Sequence, residues 1–180
     1  MAGNFINPQE IIKNLPLQEG MVVADFGCGS GFFSLAMAEK IKPNGQVVAI
    51  DIWKPALDVL TLKAKLTGLF NIIETKQGDL EAPKTLNLKE NYFDLVLVSN
   101  VLFQIEDKTA VLKEAYRILK PNGYLVIIEW QPEKLPNAPL LKAIDKEPLI
   151  KLVAEIGFEI DREIASLPTH YSLLAKKHIK

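Results

Sequence analysis

Three aspartates and three glycines hold most of the visible chemistry of this chain. The run Val22-Val23-Ala24-Asp25-Phe26-Gly27-Cys28-Gly29-Ser30-Gly31-Phe32-Phe33 reads as an apolar strand, an acid, three alternate glycines and a helix start. Such a turn lets backbone approach a ligand with no Cβ in the way, and aims the first amides of the next helix at it. Asp51 closes the next apolar run, where a carboxylate can accept two hydrogen bonds from a ribose diol. Asp79, in Gly78-Asp79-Leu80, follows the third. Three carboxylates on one rim suit a ligand that is cationic and rich in donors. Cys28 lies inside the turn with no histidine near it in sequence, so it reads as a small loop residue and not a nucleophile.

Those side chains need a sheet to place them. Short runs rich in Val and Ile alternate with longer amphipathic stretches, the pattern of βαβ units and a parallel sheet covered on both faces. The expected strands are 21–26, 46–51, 72–77, 93–99 and 124–130, then 158–164 and 171–176. The last two leave no room for a crossover helix, so they form a hairpin or near-hairpin. The expected fold is α/β: a doubly wound, mostly parallel seven-stranded Rossmann-like sheet with one antiparallel strand near the C-terminus, in a single domain over residues 1–180.

Helices fit at 32–41, 55–69, 108–119 and 148–156, with Asp107 as an N-cap, Pro55 and Pro148 in first turns, and Gly157 ending the last. Lys-Pro-Asn-Gly occurs at 42–45 and again at 120–123. Both copies are expected to be one turn chemistry at two helix-to-strand junctions, with Asn-Gly supplying positive φ. Residues 131–148 lack periodicity and follow the C-terminal end of a parallel strand, so they read either as a substrate lid or as a plain connector.

Composition narrows the partners. The chain has 180 residues, 48% of them hydrophobic, and a net charge of -1. The Lys176, Lys177, Lys180 tail reads as a solvated end, and no internal basic cluster suggests nucleic acid or an anionic membrane. One cysteine excludes an intrachain disulfide, and His170 and His178 give no metal-ligand spacing, so no metal is expected. With no signal-peptide pattern and only strand-length apolar runs, a cytoplasmic location is expected.

The charge of the glycine turn separates two cofactors. A nicotinamide dinucleotide presents an anionic pyrophosphate, whereas S-adenosylmethionine (AdoMet) has no phosphate and carries a sulfonium and an ammonium. The stretch from Asp25 to Ser34 holds an acid and no Lys or Arg, and Phe32 stands where the dinucleotide fingerprint has its third glycine.

Asp-Phe-Gly-Cys-Gly-Ser-Gly, followed by Asp51-Ile52 and Gly78-Asp79-Leu80, resembles the class I AdoMet-dependent methyltransferases. The stretch 91–130, with Phe93-Asp94-Leu95-Val96 and the 117–123 segment, is similar to the small-molecule group that includes quinone-biosynthesis methyltransferases. The resemblance implies AdoMet as cofactor and a small-molecule acceptor. It places Gly27, Gly29 and Gly31, with Cys28 among them, under the methionyl part and Asp25 near its ammonium. It gives Asp51 the ribose diol, Asp79 the adenine amine, Ile52 and Leu80 the adenine faces, and Ser99 and Asn100 the methionyl group. Alternatives that stay open are a nicotinamide-dependent oxidoreductase and a non-catalytic AdoMet-binding protein.

The sequence departs from that family where substrate is met, since Val101-Leu102-Phe103-Gln104 contains no histidine. No catalytic residue is assigned; Gln104, Glu129, His170 and Tyr171 are candidates to touch the acceptor. Tyr116 and Lys120 have the spacing of a dehydrogenase pair. They end a helix ahead of the fifth strand, on the rim expected to lie away from the cofactor, and are read as structural.

Overall fold

Strand residues alternate between two faces, and here both faces are covered. The computed structural model describes residues 6–134, 144–165 and 167–178. Its elements in chain order are α1 (Pro8–Lys13), β1 (Val22–Phe26), α2 (Phe32–Ile41), β2 (Gln46–Asp51), α3 (Lys54–Leu66) and β3 (Ile73–Gln77). After these come β4 (Phe93–Ser99), α4 (Lys108–Ile118), β5 (Leu119–Trp130), α5 (Lys146–Ile156), β6 (Phe158–Glu163) and β7 (His170–Lys177). The strands form one seven-stranded sheet in the order β3-β2-β1-β4-β5-β7-β6. Strands β1 to β5 are mutually parallel, and β7 runs antiparallel to both β5 and β6, as the short final connection requires.

Val23, Val47, Leu95, Leu97 and Val126 pack on one face against Ile12, Met37, Ile41 and Leu60 of α1, α2 and α3. Ala24, Val48, Val96, Val98 and Ile127 pack on the other against Val111, Leu112, Leu149 and Val153 of α4 and α5. Leu97 is fully buried, and its truncation to alanine costs about 2–5 kcal/mol.

Three expectations change. Helix α1 was not foreseen; the Asn7 side chain caps it by accepting the Gln9 amide, and Pro8 occupies its first turn. Helix α3 stops at Leu66 and not at Leu69, because Gly68 turns into positive φ. The two Lys-Pro-Asn-Gly copies do not share a turn chemistry. Asn122 has φ 64 within a bulge of β5, where register slips between Phe93 and Leu95, whereas neither Asn44 nor Gly45 has positive φ. What Gly45 and Gly123 share is lack of room, since an added Cβ would lie 2.6 Å from Ile41 Cγ1 or 2.9 Å from the Lys120 carbonyl oxygen.

Candidate functional site

The parallel strands put their C-terminal ends on one rim, the side where open α/β sheets hold ligands. A cavity of about 940 Å³ opens there, walled by Asp25, Gly29, Phe33, Ser99, Trp130 and His170. A second, of about 300 Å³, is walled by Ile52, Asp79, Leu80 and Ile105. Gly27, Asp51, Asn100 and Gln104 border both, which makes the two a continuous groove.

The three glycines are needed for different reasons. All have positive φ, at 71, 51 and 83 for Gly27, Gly29 and Gly31. A Cβ on Gly27 would strike Val101 Cγ2 at 2.2 Å, and one on Gly31 would strike Leu60 Cδ1 at 2.2 Å. Only Gly29, among the three, would send a Cβ into open space. Four amides of the turn are taken up within the protein: Gly27 and Cys28 donate to the Ile50 carbonyl, Gly31 to that of Cys28, and Gly29 to Asp51 Oδ2 at 2.7 Å. A pyrophosphate would meet the Asp25 and Asp51 carboxylates here.

The sequence-derived acids do converge. Asp25 is only 2% exposed and accepts hydrogen bonds from the Ser34 hydroxyl, at 2.5 Å, and the Ser34 backbone. Burial pushes its pKa up to about 7, with Ser34 opposing and the Asp51 charge adding to the rise. Asp51, which borders both cavities, takes the Gly29 amide on Oδ2 and the Trp53 amide on Oδ1 at 2.9 Å, leaving each oxygen a further lone pair. Asp79 Oδ1 accepts the Glu81 amide at 2.9 Å. Ile52, 64% exposed, and buried Leu80 border the smaller cavity. Cys28 borders the larger one, with a thiol whose pKa is pushed up by burial and by Asp25 and Asp51.

Among the described residues, the buried side-chain polar atoms with no hydrogen-bond partner are Ser99 Oγ, Asn100 Oδ1 and His170 Nε2. All three residues line the larger cavity. A buried polar atom left unpaired costs about 1–3 kcal/mol, so their gathering at one cavity marks a place for polar groups of a ligand.

The candidates for touching an acceptor separate. Glu129 is buried, and its Oε1 accepts the Val101 and Leu102 amides at 2.8 and 2.6 Å, so it holds the segment after β4 and does not face the cavity. Burial pushes its pKa up to about 7. Tyr171 donates to the Ile144 carbonyl at 2.7 Å and is structural. Gln104 and His170 remain on the cavity wall. Tyr116 donates to the His178 carbonyl, and Lys120 pairs with Asp94, so they form no pair with each other and neither borders the groove.

Residues 135–143 of the expected lid or connector lie outside the described residues. Ile6 and Pro8, brought over the cavity by α1, were missed, though the Asn7-Pro8 helix start was readable. Among the described residues no group of three His, Cys, Asp or Glu is placed to hold a metal ion, and no helix is long and apolar enough to cross a membrane.

Fold and site together define a Rossmann-like domain with an acid-rimmed ligand groove at its strand ends. Residues 24–127 match the family described as a methyltransferase domain, and the chain belongs to that family. It is 33% identical over 135 residues to a demethylmenaquinone methyltransferase of Lactobacillus johnsonii, covering 74% of this chain and 52% of the relative. The chain thus spans about half the length of the curated relatives it matches. A SAM-dependent methyltransferase from Aquifex aeolicus superposes with a TM-score of 0.84 at 22% identity, over 96% of this chain and 90% of that one. The cyclase SpnF superposes at 0.80 with 17% identity, over 96% and 81%, so the fold by itself does not name a reaction.

Proposed function

We propose that this chain binds AdoMet and transfers its methyl group to a small-molecule acceptor. The observation that carries this reading is the charge of the groove, whose described walls include Asp25, Asp51, Asp79 and Glu81 and no Lys or Arg. That suits a cation with no phosphate. When bound, AdoMet supplies a methyl group already activated on a positively charged sulfur.

The chain's residues supply binding and alignment. On this reading Asp51 has lone pairs left for a ribose diol, Asp79 on the wall of the smaller cavity takes the adenine amine, and Ile52 and Leu80 offer apolar walls to the ring. Open space at Gly29, the buried carboxyl of Asp25 and the unpaired Ser99 and Asn100 atoms suit the amino-acid end. Displacement on an activated methyl needs the acceptor atom held in line at near contact, and such positioning can supply much of the rate. The Lactobacillus johnsonii relative, named a demethylmenaquinone methyltransferase, supports an acceptor of quinone type. A cytoplasmic location belongs to the same reading and is in keeping with a single, buried cysteine.

Calorimetric titration with AdoMet and with NADH tests the cofactor, and incubation with methyl-labelled AdoMet and cell extract tests turnover. AdoMet should bind and raise the melting temperature by mass action. Binding of NADH and not AdoMet would overturn the reading, and AdoMet binding with no labelled product from any extract would reduce it to a binding protein.

A further inference from the structure

Strand β7 runs against its parallel neighbour, so its first residue, His170, lies on the ligand rim, paired in register with Trp130 at the end of β5. The two rings lie together with centroids 4.1 Å apart and planes 38° from parallel. His170 Nδ1 shares a hydrogen bond with Thr169 Oγ1 at 2.8 Å, which leaves Nε2 shielded from solvent and without a partner. None of the groups assigned to the cofactor comes from β7. The larger cavity is also lined by the apolar side chains of Ile6, Pro8, Phe33 and Trp130, and its described walls contain no cation.

On the reading that the groove holds AdoMet, we propose that Trp130 and His170 form the acceptor site: a flat, uncharged ring bearing a hydroxyl lies against Trp130 and hydrogen-bonds through that hydroxyl to His170 Nε2. Two features make the match. A buried nitrogen with no partner gains a full hydrogen bond from a ligand, whereas an analogue without the hydroxyl leaves it unpaired, and this is where binding sites discriminate most. The nitrogen itself is buried while its residue lines the cavity, so contact requires the imidazole to turn toward the ligand. Burial holds the ring's pKa down at about 4, so near pH 7 it is neutral and offers no charge to an anion. A carboxylate or phosphate on the acceptor would therefore meet acids and no counter-ion.

The test uses 2-naphthol, naphthalene and 2-naphthoate as probes, each titrated into the whole chain with and without S-adenosylhomocysteine. The expected order is 2-naphthol tighter than naphthalene by about tenfold, the worth of one hydrogen bond to a buried group, with 2-naphthoate weakest. In His170→Phe the preference for 2-naphthol over naphthalene should vanish while S-adenosylhomocysteine affinity is kept. Equal affinity for 2-naphthol and naphthalene in the unaltered protein would overturn the proposal, as would tighter binding of 2-naphthoate or a preference that survives in folded His170→Phe. Should that variant not fold, the three-probe order in the unaltered protein decides alone. Failure of the cofactor reading shows separately, as absent S-adenosylhomocysteine binding, because the probe order is also read without it.

Discussion

Asp51 Oδ2 accepts the Gly29 amide at 2.7 Å, so the acid that ends β2 and the glycine exposed to the cavity are one mechanical unit. The carboxylate proposed to hold a ribose also shapes the turn proposed to lie beneath the methionyl end. Asp51→Asn keeps one oxygen for the turn but removes the charge, and should weaken AdoMet about tenfold to a hundredfold with a small change in melting temperature. Asp51→Ala should lose more on both measures. Titration and thermal melts read the two effects; unchanged AdoMet affinity in folded Asp51→Ala would remove Asp51 from the ligand.

The glycine turn should respond differently at each position. Alanine at any of the three positive-φ sites carries about 1–2 kcal/mol of backbone strain. At Gly27 and Gly31 a collision with Val101 or Leu60 adds about 1–3 kcal/mol of overpacking. Gly27→Ala and Gly31→Ala should therefore unfold at clearly lower denaturant than Gly29→Ala, which should instead lose AdoMet binding because its methyl enters the cavity. Denaturant melts beside titrations check this. A Gly29→Ala variant that binds normally would move the cofactor off this turn.

Three buried groups set the pH dependence. The carboxyls of Asp25 and Glu129, held at about 7, favour the fold below their unfolded values of 3.8 and 4.5 and lose that contribution as pH rises through 7. His170, held at about 4 against 6.5, acts the other way: its contribution is present above 6.5 and lost as pH falls through 4. Two groups against one give a net decline in stability from about pH 4.5 to 7. Asp25→Asn should flatten it. A stability curve that rises across that window would contradict the burial of both carboxyls.

An ammonium group beside Asp25 would pull its pKa down, so AdoMet binding near pH 7 should release a proton. The measured heat should then vary with the ionisation enthalpy of the buffer, and Asp25→Asn should remove most of that variation. Identical heats in phosphate and Tris would place the ammonium elsewhere.

Tyr116→Phe should leave AdoMet affinity and any methyl-transfer rate unchanged. Its hydroxyl meets the His178 carbonyl at 2.9 Å, away from the groove, and the expected stability change is within about 1 kcal/mol. A loss of activity by orders of magnitude would reopen the dehydrogenase-like reading of the Tyr116–Lys120 spacing.

The strands were legible because Val and Ile runs bounded by turn residues have few other readings, and the single reversed strand followed from the short link before β7. Helix α1 escaped because six residues with Ile11 and Ile12 as the buried pair show no periodicity. At the site, the glycines were legible as glycines, since positive φ is a local demand. That Val101 and Leu60 crowd two of them was not, because those contacts come from the segment after β4 and from α3 folding back. The Trp130–His170 pair depends on cross-strand register between residues forty positions apart, and Glu129 stays among the candidates to touch the acceptor until β4 and β5 are paired, since only then do its bonds to Val101 and Leu102 arise.

The placement of Cys28 gives the chain a reporter of its own. It is the only thiol in 180 residues, it sits on the cavity wall, and burial beside two aspartates leaves almost no thiolate near neutral pH. Alkylating reagents should therefore modify it slowly, and a seated ligand should slow them further. The rate of maleimide labelling, followed by intact mass, then reports occupancy of the groove without any engineered probe.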